Sequence, residues 1–256
     1  MALPSARVAV GYGFALAAAA LFGIGGIIAK LAFATGLLPS ELAELRVLFA
    51  FLVLVAVVAA WRPADLRLRR ADLPLVAFFG VAGLGGVQWS YYEAIQRLPL
   101  GIALVIQYTA PLLILLYWRA RGRRVGARLW VAGLLALAGC YLVVGAYDRA
   151  LLALNAAGTA FALLSAVIFA LYFLLAERIL TRYTVWTLLV YGFGFALLAW
   201  AVVRPLWTLP WPLAAGGAWL VAGVVIVATV VPFGLTFAAI RLIPAARVGL
   251  TATIEP

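Results

Sequence analysis

The sequence has no histidine, a single cysteine, a single lysine and only eight carboxylates among its 256 residues. Each shortage removes a class of chemistry. Without histidine, and with Cys140 alone, there is no disulfide framework, no thiol pair and no set of the usual transition-metal ligands. Hydrolytic chemistry is left with scattered carboxylates, of which only Glu93 and Glu255, with Glu177 as a marginal third, fall near membrane depth. A membrane-embedded enzyme needs two of them to converge at one depth, so an enzyme is not expected. No cofactor and no metal site is implied. Lys30, the only lysine, follows no glycine-rich phosphate loop, which excludes a nucleotide-driven engine of that kind. No break between apolar runs is long or polar enough to fold alone, so a single membrane domain is expected.

What the chain has in abundance is apolar surface: 68% of its residues are hydrophobic, and the mean hydropathy is +1.18. A soluble fold of this length cannot bury so much, because its helices would need polar faces that are missing here. The fold class is therefore an all-α polytopic membrane protein. Its spans are read as Val8–Ala29, Ala43–Trp61, Leu73–Ala94, Leu100–Trp118, Leu129–Ala146, Asn155–Ala176, Val185–Val203, Ala218–Ala239 and a ninth starting near Ala245. The first resembles a secretory signal, with Arg7 ahead of an alanine-rich run, but it continues to Ala29 with more spans behind it. It is read as an uncleaved helix. Cys140, in the middle of the fifth span, is read as a packing residue.

The formal charge of +11 lies in short loops between spans rather than on a soluble face. It speaks for lipid headgroups and topology, not for nucleic acid. With the N-terminus cytoplasmic, Arg62, Arg67, Arg69, Arg70, Arg119, Arg121, Arg123, Arg124, Arg128, Arg178, Arg182 and Arg241 fall inside. The other side receives only Lys30, Arg46, Arg97, Arg149 and Arg204. That asymmetry sets an N-in orientation in a bacterial-type inner membrane. Trp61, Trp118, Trp130, Trp207 and Trp211, near span ends, are expected to be interfacial anchors.

The second half repeats the first. Leu75–Pro111 laid over Leu220–Pro256, an offset of 145 residues, aligns Leu-Val-Ala with Leu-Val-Ala, Ala94-Ile95 with Ala239-Ile240, Pro99 with Pro244 and Pro111 with Pro256. A second overlay sets Phe14-Ala15-Leu16 on Phe161-Ala162-Leu163, Ala19 on Ala166 and Phe22 on Phe169. Five spans per copy is an odd number, so the copies enter the membrane from opposite sides, as two inverted repeats over residues 1–148 and 149–256. The first copy runs some way past Pro111, whereas the second stops at Pro256. The end of the ninth span and a tenth are accordingly expected to be missing from this chain.

Several motifs carry a resemblance. Leu38-Pro39 and Leu45-Arg46 open the second span, Leu98-Pro99-Leu100-Gly101-Ile102-Ala103 leads into Gln107-Tyr108-Thr109-Ala110-Pro111, and Ile254-Glu255-Pro256 stands in the second copy. The pattern resembles the drug/metabolite transporter superfamily, specifically its ten-span exporters with two EamA-type repeats. One departure is the arginine run from Arg119 to Arg128, where many relatives carry a Gly-Glu pair after the fourth span. The resemblance implies a secondary transporter exporting small organic molecules, amino acids and other metabolites among them, and the aromatic residues along the candidate path suit amphipathic solutes such as apolar amino acids or drug-like compounds. A facilitative channel or exchanger is the second class, though a channel would usually advertise a selectivity ring or filter segment.

Polar and aromatic side chains on one face of a membrane helix mark a transport path, because a polar group facing lipid needs a partner or water. Gln88 and Tyr92 share a face of span three, with Trp89 beside them, and span four offers Gln107, with Tyr108 adjacent. Pro111 frees a carbonyl near Gln107, and Pro232 is a second helix-break candidate. The second copy offers Ser165, Tyr172, Thr229, Thr236 and Thr251 as substrate contacts, although Ser and Thr readily bond back to their own helix. Glu255 is the proton-coupling candidate, since a charged carboxylate at the bilayer centre costs about 2.5 to 3.5 kcal/mol on insertion scales. Glu93 is expected to pair with Arg46, while Glu41, Glu44, Asp65, Asp72 and Asp148 are expected to be solvated. The glycine clusters Gly23, Gly25, Gly26 and Gly80, Gly83, Gly85, Gly86 are expected at close helix contacts. The expected partners are a small-molecule substrate and the bilayer, with the protein a monomer or weak homodimer.

Overall fold

The computed structural model describes residues 5–143, 155–209 and 215–255. Asp148, Arg149, Trp211, Pro256 and the expected end of the fifth span lie outside the described residues. Long apolar runs form helices because a backbone in lipid must satisfy its own hydrogen bonds. In chain order these are α1 (Ser5–Ala34), α2 (Pro39–Trp61), α3 (Arg70–Ile95), α4 (Leu100–Ala120), α5 (Ala127–Val143), α6 (Ala156–Ile179) and α7 (Val185–Val203). They are followed by α8, built from Ala215–Val225, Ile226–Val230 and Val231–Leu242, and by α9 (Ala245–Ala252). Seven helices, all but α5 and α9, are long and apolar enough to cross a membrane. The protein is thus a multi-pass membrane protein, with fewer full-length spans among the described residues than the nine expected.

Local chemistry sets the boundaries. α2 starts at Pro39, four residues before the expected Ala43, because proline suits a first helical turn and Glu41 Oε2 accepts the Leu38 N–H at 2.9 Å. Asn155 caps α6 by accepting from Gly158 N–H, and Thr184 caps α7 by accepting from Thr187 N–H. Gly36 (φ +94°) and Gly122 (φ +75°) end α1 and α4 in the left-handed region.

Three helices depart from regular α geometry, and the departures recur. α3 is π-helical over Phe79–Gly86, and α8 over Ile226–Val230. α4 breaks at Tyr108–Thr109, between Leu100–Gln107 and Ala110–Ala120. Moved by 145 residues, the first π stretch covers 224–231 and so contains the second. The same shift carries Leu100–Gln107 onto Ala245–Ala252, the bounds of α9.

Packing follows the same register. α1 lies on α8 and α9, α3 on α6 and α7, α2 on α7 and α8, and α4 on α6. Exchanging α1 for α6, α2 for α7, α3 for α8 and α4 for α9 turns this set of pairings into itself. One contact joins both overlays. A Cβ on Gly11 would stand 3.0 Å from Leu242 Cβ and 2.9 Å from Ile243 Cγ2; one on Gly158 would stand 2.8 Å from both Arg97 Cβ and Leu98 Cγ. Gly158 lies 147 residues after Gly11, and Leu242-Ile243 lies 145 after Arg97-Leu98. In the glycine clusters, Gly25 abuts Ala228 and Gly80 abuts Phe195 and Gly192, whereas Gly26 faces open space.

The centre is aromatic. Tyr172 stacks on Phe79 and Phe169 at 5.5 and 5.8 Å between centroids, and Phe173, Phe233 and Phe237 close around it. Trp61 and Trp207 are exposed at helix ends, as anchors should be, and Trp130 packs partly against the core. Trp118 corrects that expectation: it is buried in the core, with the Arg123 guanidinium 5.7 Å over its ring. Cys140 is buried.

Candidate functional site

The site forms where the break in α4 meets the turn after α9. Losing regular structure at Tyr108–Thr109 leaves Thr109 Oγ1 donating to the Ile106 carbonyl at 2.6 Å, and Pro111, which has no N–H to give the Gln107 carbonyl, restarts the helix. Gln107, buried on the last turn before the break, donates from Nε2 to Ser165 Oγ on α6 at 2.7 Å. Tyr108 donates its hydroxyl to Glu255 Oε2 at 2.8 Å. Glu255 is held by its own turn, its N–H bonded to the Ala252 carbonyl, and its carbonyl passes close to Gly23 on α1. The Cβ position of Gly249 on α9 lies 3.4 Å from Pro111 Cγ, which brings the two interrupted helices together.

Around this pair stand groups from further helices. Arg46 on α2 lies within electrostatic reach of both Glu255 and Tyr92 on α3. Its buried Nε has no hydrogen-bond partner among the described residues. Tyr91 faces Glu255 and Tyr108, and Cys140 of α5 lies near Tyr108. A cation, an acceptor carboxylate, phenols and an amide thus surround one region at the junction of the two halves.

Other expected residues lie elsewhere. Trp89 is 44% exposed, packed edge-on against Phe161 and lining a shallow apolar groove with Trp200. Tyr172 belongs to the aromatic core, where its buried hydroxyl lacks a partner. Thr229, Thr236 and Thr251 each donate to a carbonyl of their own helix, at Val224, Pro232 and Arg247. For Thr229, which lies in the π-helical stretch, the acceptor is the carbonyl of Val224 just ahead of that stretch. Gln88 is half-buried on the same helix as Tyr92.

The expected Glu93–Arg46 pair is not formed. Glu93 pairs with Arg97 one turn along, and the Arg97 guanidinium sits 5.0 Å over Phe161. Three carboxylates expected in solvent are bound instead. Glu41 accepts from Arg204 Nη2 at 2.9 Å, and Glu44 is fully buried with Arg204 Nε at 3.7 Å. Asp72 is buried and accepts from Tyr183 at 2.6 Å and Arg182 at 3.0 Å. Partial burial first, then the bond to Asp72, raises the Tyr183 phenol above its ordinary pKa. Glu177 accepts the Ala245 N–H at 3.3 Å and so caps the start of α9.

These contacts tie α2 to α7 at both ends. At one end Arg204, following α7, reaches Ser40 and Glu41 at the start of α2. At the other, Thr187 and Tyr191 of α7 donate to the carbonyls of Asp65 and Leu66, which follow α2.

The sequence pattern of the EamA-like transporter family matches residues 9–145. The threonine/homoserine exporter RhtA of Escherichia coli (strain K12) is 29% identical over 219 residues, covering 83% of this chain and 68% of RhtA. The RhtA of Salmonella typhimurium (strain LT2) is 28% identical over 218 residues. An uncharacterized transporter of Archaeoglobus fulgidus is 29% identical over 170 residues, 65% of this chain and 58% of its own length. A crystal structure 22% identical in sequence superposes with a TM-score of 0.78, covering 98% of this chain and 85% of the other, and shares the fold. A helical membrane chain whose broken helix and polar junction lie within or beside that match belongs to the EamA-like transporter family.

Proposed function

We propose that this protein is a secondary transporter that exports small organic metabolites, amino acids foremost, by alternating access between two inverted repeats. In the complete architecture each repeat has five helices. The recurrence of the π stretch, the helix break and the glycine contact at offsets of 145 and 147 supports that repeat, as does the exchange symmetry of the helix pairings. The arginine distribution supports an N-terminus on the cytoplasmic side of an inner membrane.

The observation that carries the reading is the junction around Glu255. A free amino acid presents a carboxylate and an ammonium close together. Arg46, with an unsatisfied guanidinium N–H, suits the first, and Glu255, oriented by Tyr108, suits the second. Gln107 and Ser165 brace the break that presents Tyr108. RhtA exports threonine and homoserine, both of which have this zwitterionic head.

Flux of labelled threonine, homoserine, apolar amino acids and cationic dyes into inverted vesicles tests it. Saturable uptake of the amino acids, reduced at least tenfold by Arg46→Gln and several-fold by Gln107→Ala, is expected. Uptake of the dyes alone, indifferent to Arg46, would replace the amino-acid reading.

A further inference from the structure

Glu44 is the most deeply buried charged side chain of the described residues, with no exposed surface, and neither of its oxygens has a hydrogen-bond partner among them. Its neighbour Arg204 is committed elsewhere. Nη1 donates to Ser40 Oγ and Nη2 to Glu41 Oε1, both at 2.9 Å, and Nε to Thr208 Oγ1 at 3.4 Å. Glu44 Oε2 stands 3.7 Å from Nε, beyond hydrogen-bond length. Two carboxyl groups therefore share one guanidinium, and the one with its hydrogen bonds filled is Glu41.

Among the described residues the faces packed on Glu44 offer no other cation, and Arg46, two residues along α2, lies toward Tyr92 and Glu255. α8 packs on α2 with its segments Ala215–Val225 and Ile226–Val230, which carry no titratable side chain. On α1, Lys30 is exposed. On α3, Glu93 is taken by Arg97, and Tyr92 faces Arg46. A second negative charge in this place would be buried without a hydrogen bond or a partner of its own, the costliest arrangement open to a carboxylate.

We infer that Glu44 is a proton-sensing carboxyl that gates the transport cycle, protonated when α2 and α7 close on it at the Arg204 end. The step is a simple transfer: as the end closes, the carboxylate takes a proton from the water it leaves, and the neutral acid is buried. When α2 and α7 part, Glu44 returns to water, gives up the proton and again competes with Glu41 for Arg204. Closing takes up a proton, so it is favoured as pH falls and lost as pH rises. With the arginine-poor face outside, that proton comes from the exterior and returns to it, so Glu44 sets the pH dependence of closing without carrying a proton across the membrane. This rests on the exporter reading for its place in a cycle, but not for the protonation itself.

The test separates the two. Infrared difference spectra of the full-length protein in lipid, recorded across pH without substrate, should show a protonated-carboxyl stretch that titrates and is absent from Glu44→Gln. In Glu44→Asp the band should persist with a shifted midpoint, which covers the case of a glutamine variant that does not fold. In proteoliposomes, threonine counterflow should vary with the pH on the Arg204 face, and Glu44→Gln should lose that pH dependence while keeping counterflow. A carboxyl band unchanged by Glu44→Gln, no titrating band in the wild type, or a pH dependence of counterflow surviving the substitution would each overturn the assignment. If no solute moves but the Glu44 band is present, the exporter reading fails and the protonation stands.

Discussion

The two ends of the α2–α7 contact are built from different materials. At the Thr187 end, hydroxyls donate to backbone carbonyls of the loop after α2, and Asp72 has two donors of its own. The tie between α7 and that loop is made of hydroxyls and backbone carbonyls, with no ionic partner in it. At the other end one guanidinium serves two carboxyl groups and two hydroxyls, and one carboxyl is left without a hydrogen bond. A tie made of satisfied neutral bonds is insensitive to conditions, whereas one short of a proton or a cation has two states of similar energy. The difference marks the Arg204 end as the switchable one.

The comparison breaks most readily at Arg204. Arg204→Ala leaves Glu41 and Glu44 facing each other without a cation, and a loss of about 3 to 5 kcal/mol is expected for breaking a buried pair from one side. Thermal unfolding in detergent reads it, and adding Glu44→Gln should restore part of the loss; strict additivity of the two would argue that they do not interact. Next comes Tyr191→Phe, which orphans the Leu66 carbonyl and should cost about 1 kcal/mol with no dependence on pH. Thr187→Val should cost less, about 0.6 kcal/mol, typical of an interhelical hydrogen bond in a membrane protein. Asp72→Asn sharpens the contrast last. It should weaken the bond from Arg182, which is largely exposed, with a small effect on stability and none on the pH dependence of transport.

Much of the architecture was legible because it lies in long patterns. The apolar runs gave the helices, and the aligned prolines at 99 and 244 gave a register that the π stretches and the break follow. The reading of individual charges went astray where a boundary moved by one turn. With α2 starting at Pro39 rather than Ala43, Glu41 joins the helix and Glu44 lies more than a turn inside it, while Arg46 lies toward Glu255 and Tyr92 rather than Glu93. The signal was present in Leu38, Pro39 and Glu41, a helix start whose third residue reaches back to cap it. Trp89 is three residues from Tyr92, a spacing that places the two about 60° apart on the helix, so spacing alone gave no sign that Trp89 is exposed and lines the groove with Trp200. The threonines of α8 and α9 show why hydroxyls in membrane helices are weak indicators: each has a carbonyl of its own helix within reach.

The helix pairings bear on how the chain is made. α1 finds its main partner in α8, and α3 packs on α6 and α7, so the early helices leave the ribosome long before the surfaces that cover them exist. Gly11 must wait for Leu242 and Ile243, more than two hundred residues later. Until then the first half resides in the bilayer with lipid standing in for absent neighbours, and assembly is deferred until α8 has been made. A defect late in the chain would therefore be felt by its earliest helices, and the two halves made as separate polypeptides should each be short-lived in the cell unless produced together.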